Sequence, residues 1–207
     1  MRIGIFGGSF DPVHYGHLIA AECAREQARL DRVIFVPAAE SPHKVGMKLA
    51  DASHRLAMLS LAIGGNDSFA VSSIELDRGG TSFTVDTLAE LARQHPADRL
   101  VLLLGPDSLA GVATWKEPGR IASLAEIVAI ERDQLDDVRA SATASGLTEV
   151  LGEEAVRAVL ARRVLMPAIG IRATLLRAAL ARGESIRYRT PRAVERYVIT
   201  HGLYQAG

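Results

Sequence analysis

The chain has 207 residues, which at roughly 150 residues per domain corresponds to one domain or at most two. Its composition is 48% hydrophobic and 23% charged, as in ordinary globular proteins with a sizeable core. The 24 basic and 24 acidic residues balance, which argues against a general nucleic-acid binder, because such proteins carry a basic excess.

The balanced charge is unevenly placed along the chain. Residues 1–156 contain 14 basic and 22 acidic residues, whereas residues 157–196 contain 10 basic and 2 acidic residues. Most of these C-terminal arginines, Arg182, Arg192 and Arg196 among them, fit solvated helix faces. The basic segment as a whole is what we expect of a protein that holds a small polyphosphate rather than a large nucleic acid.

The single cysteine, Cys23, cannot form an intramolecular disulfide, which fits a reducing compartment. No apolar run approaches the ~20 residues of a membrane span. The N-terminal residues lack the hydrophobic stretch of a signal peptide. We therefore expect a cytoplasmic protein with no membrane partner.

Short apolar runs predict strands at residues 3–6, 33–36, 100–104 and 127–130, with a weaker candidate at 69–74. Their continuous apolar character indicates a parallel sheet that is buried on both faces. Helical spacing or helix-end signals predict helices at residues 17–30, 53–63, 84–95, 152–163, 174–182 and 191–201. The alternation predicts one doubly wound, Rossmann-like α/β domain over residues 1–207, with a mostly parallel sheet and a helical C-terminal subregion from about residue 171.

The most informative stretch is GGSFDPVHYGH at residues 7–17, between the first predicted strand and helix. Ligands of open α/β sheets bind at this kind of strand end. Gly7 and Gly8 allow close approach of the backbone, and the free N–H groups of the next helix attract phosphate. His14 and His17 are three residues apart and could face one anion. From composition alone, a tight turn with one capping or core histidine remains equally open.

This stretch resembles the nucleotidyltransferase signature G-G-[ST]-F-D-P-x-H-x-G-H, in which the two histidines contact nucleotide phosphates. The resemblance implies catalytic roles for His14 and His17. It also implies nucleotide contacts by their neighbours Gly7, Gly8, Ser9, Phe10 and Gly16.

Further segments resemble the bacterial nicotinate mononucleotide adenylyltransferases, a family within this superfamily. They are SPHK at 41–44, HR at 54–55, RGGTSFTVDTL at 78–88, GPDSL at 105–109 followed by Trp115, and GESIRY at 183–188. From residue type alone, Arg55 is a solvated or ion-paired helix-face residue, and we assign it no role.

The resemblance implies that backbone N–H groups at Phe83 and Thr84 bind the nicotinate carboxylate. Without it, residues 82–88 could be only a helix start capped by Ser82 or Thr84. Trp115 is implied to stack on the pyridine ring, although a lone tryptophan is more often a core residue. Asp107 is implied to bind ribose hydroxyls of substrate or nucleotide.

The remaining contacts implied by the resemblance are with ATP. Arg177 would act catalytically on its phosphates, and further nucleotide contacts would come from Lys44, Gly105, Arg132 and Thr174. Residues 171–177, IRATLLR, depart from the family pattern I-S-[SA]-T-x-I-R, because Arg172 replaces the leading serine. Losing a neutral hydrogen bond of about 0.5–1.5 kcal/mol would weaken ATP binding by up to about tenfold without abolishing the chemistry.

The implied reaction joins ATP and nicotinate mononucleotide to give nicotinic acid adenine dinucleotide and pyrophosphate, a step of NAD biosynthesis. The expected cofactor is Mg²⁺ carried by ATP, with no metal site in the protein. Two alternatives stay open: a preference for nicotinamide mononucleotide, and a catalytically reduced nucleotide-binding module, because of Arg172. The sequence also leaves the oligomeric state open, a homo-oligomer included.

Overall fold

A six-stranded parallel sheet lies at the centre of the protein in the computed structural model, which describes residues 1–40, 49–132 and 146–205. The strands are β1 (Arg2–Gly8), β2 (Arg32–Pro37), β3 (Phe69–Val71), β4 (Arg99–Leu104), β5 (Glu126–Arg132) and β6 (Val164–Met166). The order is β3-β2-β1-β4-β5-β6, so the strand order reverses between β1 and β4. In doubly wound sheets the ligand crevice lies at this reversal, outside the carboxyl ends of the strands.

Helices cover both faces of the sheet. In chain order they are α1 (Tyr15–Gln27), α2 (Ala52–Ile63), α3 (Ile74–Arg78), α4 (Thr84–Gln94), α5 (Pro106–Gly111), α6 (Pro118–Leu124), α7 (Leu147–Leu151), α8 (Glu153–Ala161), α9 (Ala173–Ala181) and α10 (Arg192–Thr200). A 3₁₀ turn, Val112–Thr114, connects α5 to the segment before α6.

Alternate residues of the central strands pack into two separate cores. Leu102 and Leu104 join the core beneath α4 to α8. Val101 and Leu103 join the core beneath α1, α2, α9 and α10. Since successive side chains of a strand point to opposite faces, a strand buried on both faces must be apolar throughout, and this is why the sequence predicts these strands.

The segment from residue 171 shares its core with the rest of the described chain. Leu176 of α9 and Val194 of α10 are buried in the same cluster as the strand residues. The hydroxyl of Thr190 donates to the carbonyl of Val13 over 2.8 Å, and the N–H of Tyr15 donates to the carbonyl of Arg189 over 3.2 Å. The C-terminal segment is thereby attached directly to the loop between β1 and α1.

The four stronger strand predictions and all six helix predictions are confirmed, within a few residues at their ends. The weaker strand at 69–74 is correct only over Phe69–Val71, because α3 already begins at Ile74. Strand β6 and helices α3, α5, α6 and α7 were not predicted. Within the described residues, no helix is long and apolar enough to cross a membrane.

Part of the basic C-terminal charge forms ion pairs with the acidic part of the chain. Arg162 lies 3.1 Å from Glu126, and Arg163 lies 2.9 Å from Glu131 at the other end of β5. These two arginines therefore balance the acidic ends of β5.

Gly4 lies where no side chain fits. A Cβ atom on Gly4 would lie 2.7 Å from Leu30 Cδ1 and 3.2 Å from Val33 Cγ2. We expect Gly4→Ala to lower the free energy of unfolding by about 1–3 kcal/mol through overpacking, measured by urea denaturation. The matched control is Gly119→Ala in α6, where an added Cβ meets nothing within 4 Å. It should stabilise the protein by up to about 1 kcal/mol, and equal effects of the two variants would contradict this packing.

Candidate active site

The loop between β1 and α1 rests on a buried aromatic ring. Phe10 is 2% exposed, with a backbone φ of 49°, and its ring centroid lies 5.1 Å from that of His17. The ring also packs edge-on against Phe6, at 5.8 Å. The buried ring of Phe10 thus packs against the ring of His17. Because this ring is buried, only the backbone of Phe10 can contact a nucleotide.

The two signature histidines form one unit at the start of α1. Their rings stack with centroids 3.7 Å apart and planes 20° apart. The backbone N–H of His14 donates to Nδ1 of His17 over 3.3 Å. Because that nitrogen accepts, the neutral His17 ring carries its proton on Nε2, and this N–H is the donor that His17 can present to a phosphate.

His14 is a buried, neutral member of the pair. It is 6% exposed, and burial lowers its pKa to about 4. Its Nδ1 is buried and makes no hydrogen bond to the described residues. Near neutral pH, His14 therefore acts as an uncharged hydrogen-bonding group, and does not supply positive charge to the site.

A second helix begins beside this pair. A Cβ added to Gly16 would lie 3.7 Å from the carbonyl oxygen of Ile171, which precedes α9 by two residues. Arg172 is the N-cap of α9 and makes no side-chain cap hydrogen bond, and Thr174 is exposed in the first turn. Two helices therefore begin next to His14. The N–H groups of Tyr15 and His17 in α1 already have backbone acceptors, so it is mainly the helix dipoles and the first turn of α9 that favour an anion there.

Arg177 is held against the loop by Asp11. Its Nη1 donates to the carbonyl of Asp11 over 2.7 Å and lies 3.7 Å from the Asp11 carboxylate. Asp11 itself is 1% exposed and also accepts from the backbone N–H of Ala50 and from the hydroxyl of Tyr204. Burial and this hydrogen bond raise the pKa of Tyr204, so its hydroxyl stays protonated. Arg177 is thereby fixed against the loop that leads to the histidine pair.

The interpretation of Arg55 as a solvated or ion-paired helix-face residue is wrong. Arg55 is 2% exposed and donates to the carbonyls of Ser9 (3.1 Å), Ala38 (2.7 Å) and Ala50 (3.0 Å). Burial lowers its pKa, and the nearby Asp11 charge opposes that shift. Helical periodicity correctly placed Arg55 on a helix. It does not show that the start of this helix packs against the glycine loop, where backbone carbonyls accept hydrogen bonds from the arginine.

A cavity of about 520 Å³ opens at the carboxyl ends of β1 and β4. Its walls contain several of the predicted residues: Gly7, Gly8, Ser9, Phe83, Thr84, Asp107 and Trp115. None of the predicted ATP-phosphate residues lines this cavity; they are His14, His17, Thr174 and Arg177. His17 packs against Phe10 and Arg177 donates to Asp11, two residues that follow Ser9 in the loop. The glycine loop therefore borders the cavity through residues 7–9 and borders the corner that holds His17 and Arg177 through Phe10 and Asp11.

Helix α4 presents its N-terminus to the cavity. Its N-cap is Phe83, with no side-chain cap hydrogen bond, so the alternative in which Ser82 or Thr84 caps the helix is wrong. Ser82 instead accepts from the N–H of Ala39 through its hydroxyl, at 3.1 Å. In the first turn of α4 the N–H of Asp86 donates to the carbonyl of Phe83 over 3.1 Å. The N–H groups of Thr84 and Val85 have no acceptor within the helix and are suited to a carboxylate.

A buried polar pair anchors that helix start. The hydroxyl of Thr87 donates to the carboxylate of Glu75 over 2.7 Å, and Arg78 donates to the same hydroxyl over 2.9 Å. Glu75 is 7% exposed and belongs to the cavity wall. Sequence reasoning assigned no role to Glu75 or Thr87, although both lie in or beside a recognised motif.

The remaining predicted residues lie on the same edge of the sheet, with one exception. Gly105 is the N-cap of α5, and Arg132 is the last residue of β5. Trp115 packs against the core and also faces the cavity, so its two interpretations are compatible. Lys44 lies outside the described residues.

The geometry agrees with comparisons to known proteins. The family model of the cytidylyltransferase-like proteins matches residues 5–179. A relative from Thermomicrobium roseum, named probable nicotinate-nucleotide adenylyltransferase, is 43% identical over 99% of this chain and 92% of its own length. A relative of the same name from Thermus thermophilus is 44% identical over 99% of this chain and 100% of its own length.

The chain belongs to the nicotinate-nucleotide adenylyltransferases of the cytidylyltransferase-like family. Among solved structures, Plasmodium falciparum nicotinic acid mononucleotide adenylyltransferase complexed with NaAD has a TM-score of 0.73 at 19% identity, covering 98% of this chain and 97% of that one. At this identity the likeness establishes the shared Rossmann-like fold.

The buried His14 makes this adenylyltransferase-family protein sensitive to acid. The unfolded chain binds a proton at His14 below about pH 6.5, whereas the folded protein binds it only below about pH 4. The stability that this difference provides is present above pH 6.5 and is lost as the pH falls toward 4.

We expect wild type to lose about 2 kcal/mol more free energy of unfolding than His14→Gln between pH 7 and pH 5. Urea denaturation of both proteins at the two pH values measures this difference, in which all other titrating groups cancel. Parallel pH dependences would show that His14 is not a buried neutral group.

Proposed function

We propose that this protein transfers the adenylyl group of ATP to nicotinate mononucleotide, giving nicotinic acid adenine dinucleotide and pyrophosphate in NAD biosynthesis. The observation that carries the proposal is the arrangement along one sheet edge. A cavity lined by the N-terminus of α4 adjoins the glycine loop, and this loop leads to a histidine pair beside which α9 also begins. The nicotinate-nucleotide adenylyltransferase names of the relatives support the same reaction.

The cavity suits the pyridine nucleotide. Trp115 offers a flat face for the pyridine ring, and the N-terminus of α4 at Phe83 and Thr84 would receive the nicotinate carboxylate. Asp107 is exposed at the cavity wall in the first turn of α5, where its carboxylate can accept from ribose hydroxyls. The phosphate of the bound mononucleotide would then lie toward Gly8 and Ser9.

The attacking group of this reaction needs no general base. A phosphate monoester has a second pKa of about 6, so its oxygen is already ionised near neutral pH. The protein must align two phosphates that repel each other and stabilise the charge that develops on the α-phosphate and on pyrophosphate.

The corner that holds His17 and Arg177 would supply these two contributions. The Nε2–H of His17 would donate to the α-phosphate, and the N-termini of α1 and α9 would hold the triphosphate. Arg177, fixed by Asp11, would add a positive charge beside the leaving pyrophosphate. Neutral His14 would hold the stacked His17 ring in place.

Magnesium enters this proposal only as part of the nucleotide. Within residues 1–40, 49–132 and 146–205, no group of three or more His, Cys, Asp or Glu side chains could hold a metal ion. The accessible side chains at the corner are mainly imidazole and guanidinium groups with the Thr174 hydroxyl, and its carboxylate, Asp11, is buried against Arg177, whereas Mg²⁺ takes several accessible oxygen ligands. Carried on ATP, the ion would neutralise part of the phosphate charge. The protein's own contacts with the phosphates would come from His17, Arg177 and the helix N-termini.

The activity is tested by following pyrophosphate release from ATP with nicotinate mononucleotide. We expect turnover by wild type and a loss of at least about 100-fold in kcat for His17→Ala, because an oriented donor to a developing phosphate charge is removed. The control is His95→Gln, just after the C-terminal end of α4, where the ring lies 3.4 Å from the carboxylate of Asp98 and far from the corner. His95→Gln should retain wild-type turnover and the wild-type urea midpoint.

Three outcomes would contradict the proposal. Unchanged turnover in His17→Ala would remove the histidine pair from the mechanism. Binding of ATP without pyrophosphate release would favour the nucleotide-binding module. Faster turnover of nicotinamide mononucleotide than of nicotinate mononucleotide, assayed in parallel, would favour the alternative substrate. The cytoplasmic location and the oligomeric state remain predictions outside this assay.

A further inference from the structure

A lysine next to the cavity tryptophan lies over the start of α4. Nζ of Lys116 lies 4.8 Å above the ring centroid of Phe83. It also lies 3.0 Å from Oδ2 and 3.3 Å from Oδ1 of Asp86 in the first turn of α4. Lys116 belongs to the cavity wall together with Phe83, Thr84 and Trp115. An ammonium group is thus held at the helix N-terminus that faces the cavity.

The position of this ammonium has an electrostatic consequence for the ligand. Asp86 places a negative charge beside the first-turn N–H groups of α4, and by itself this charge would repel an incoming carboxylate. Lys116 offsets that charge, and its ammonium is the cation that a ligand carboxylate would meet at this end of the cavity. A ligand with a carboxylate there gains from both Lys116 and the helix, whereas a neutral carboxamide gains little from the cation.

The ion pair has little importance for the fold. The side chains of Lys116 and Asp86 are 42% and 37% exposed, and ion pairs of this exposure contribute little to stability. Lys116 therefore lies where its charge matters to a ligand in the cavity more than to folding.

We propose that Lys116, paired with Asp86, is a specificity-determining residue that favours a pyridine nucleotide with a carboxylate over one with a carboxamide. The proposal rests on the proposed adenylyl transfer, and it concerns only the choice between its two pyridine substrates. In the complex, the carboxylate of the ligand would compete with Asp86 for the same ammonium group.

The test compares kcat/KM for nicotinate mononucleotide and for nicotinamide mononucleotide at saturating ATP. In Lys116→Met, the ratio of the two values should fall by about three- to tenfold, because the cation is removed and the Asp86 charge is uncovered. In Asp86→Asn, the ratio should rise, because the competing carboxylate is removed.

The matched control is Arg120→Met. Arg120 lies in α6, four residues after Lys116, and its guanidinium is 3.3 Å from the carboxylate of Glu117. Arg120 does not line the cavity. Its removal takes away one surface cation close to Lys116 in sequence and should leave the substrate ratio unchanged. All variants should keep the urea midpoint of wild type.

Ionic strength supplies a second readout. Because the Lys116 ammonium is partly exposed, salt screens its attraction to the ligand carboxylate. The wild-type ratio should therefore fall as NaCl is raised, and the ratio of Lys116→Met should respond less.

An unchanged ratio in Lys116→Met would overturn the proposal. An equal loss of kcat/KM for both substrates would also overturn it, because a structural role for Lys116 predicts that result. Failure of the proposed function is distinguishable from both, since wild type would then release no pyrophosphate with either mononucleotide.

Discussion

The guanidinium of Arg55 holds together three backbone segments around the glycine loop. It donates to the carbonyl of Ser9 in that loop, to that of Ala38 after β2, and to that of Ala50 before α2. Buried carbonyls without donors each cost on the order of 1–3 kcal/mol, so the turn would be unfavourable without this cation. The buried carboxylate of Asp11 lies close enough to oppose the effect of burial on the Arg55 charge. Arg55 therefore fixes the glycine loop against the segments after β2 and before α2, with the buried Asp11 carboxylate nearby.

Charge at the site is divided between a buried and an accessible set of groups. Arg55 and Asp11 are buried and bind backbone, and buried His14 stays neutral because burial lowers its pKa. The positive potential that a phosphate or carboxylate would meet comes instead from helix N-termini and from the partly exposed Arg177 and Lys116. The accessible cations Arg177 and Lys116 can leave their carboxylate partners and bind a ligand instead. The buried groups keep their contacts and hold the backbone of the site in place. This division explains how a chain with no net charge can hold a polyphosphate.

The fold was largely predictable because both faces of the central strands are buried, which makes their sequences continuously apolar. The short strand β6 was not predicted, because it has only three residues and its central residue, Leu165, is exposed between the buried Val164 and Met166. Helices α5 and α6 were missed because they are only six and seven residues long. They lie in a stretch that contains several glycines and prolines, and a helical repeat of apolar residues cannot be recognised over so few positions. At the site, motif spacing placed the histidines and the glycine loop correctly on the sheet edge. Arg55 could not be found in this way, since burial at a helix end depends on which turn folds against it.

If Arg55 and the nearby Asp11 carboxylate hold the glycine loop jointly, the effects of replacing them will not be additive. A double-mutant cycle of Arg55→Lys and Asp11→Asn, measured as free energies of unfolding in urea at pH 7, tests this most directly. If the two side chains act as one unit, the double variant will differ from the sum of the single variants by at least about 1 kcal/mol. Additivity within about 0.5 kcal/mol would show that the two buried charges act independently and would contradict the account.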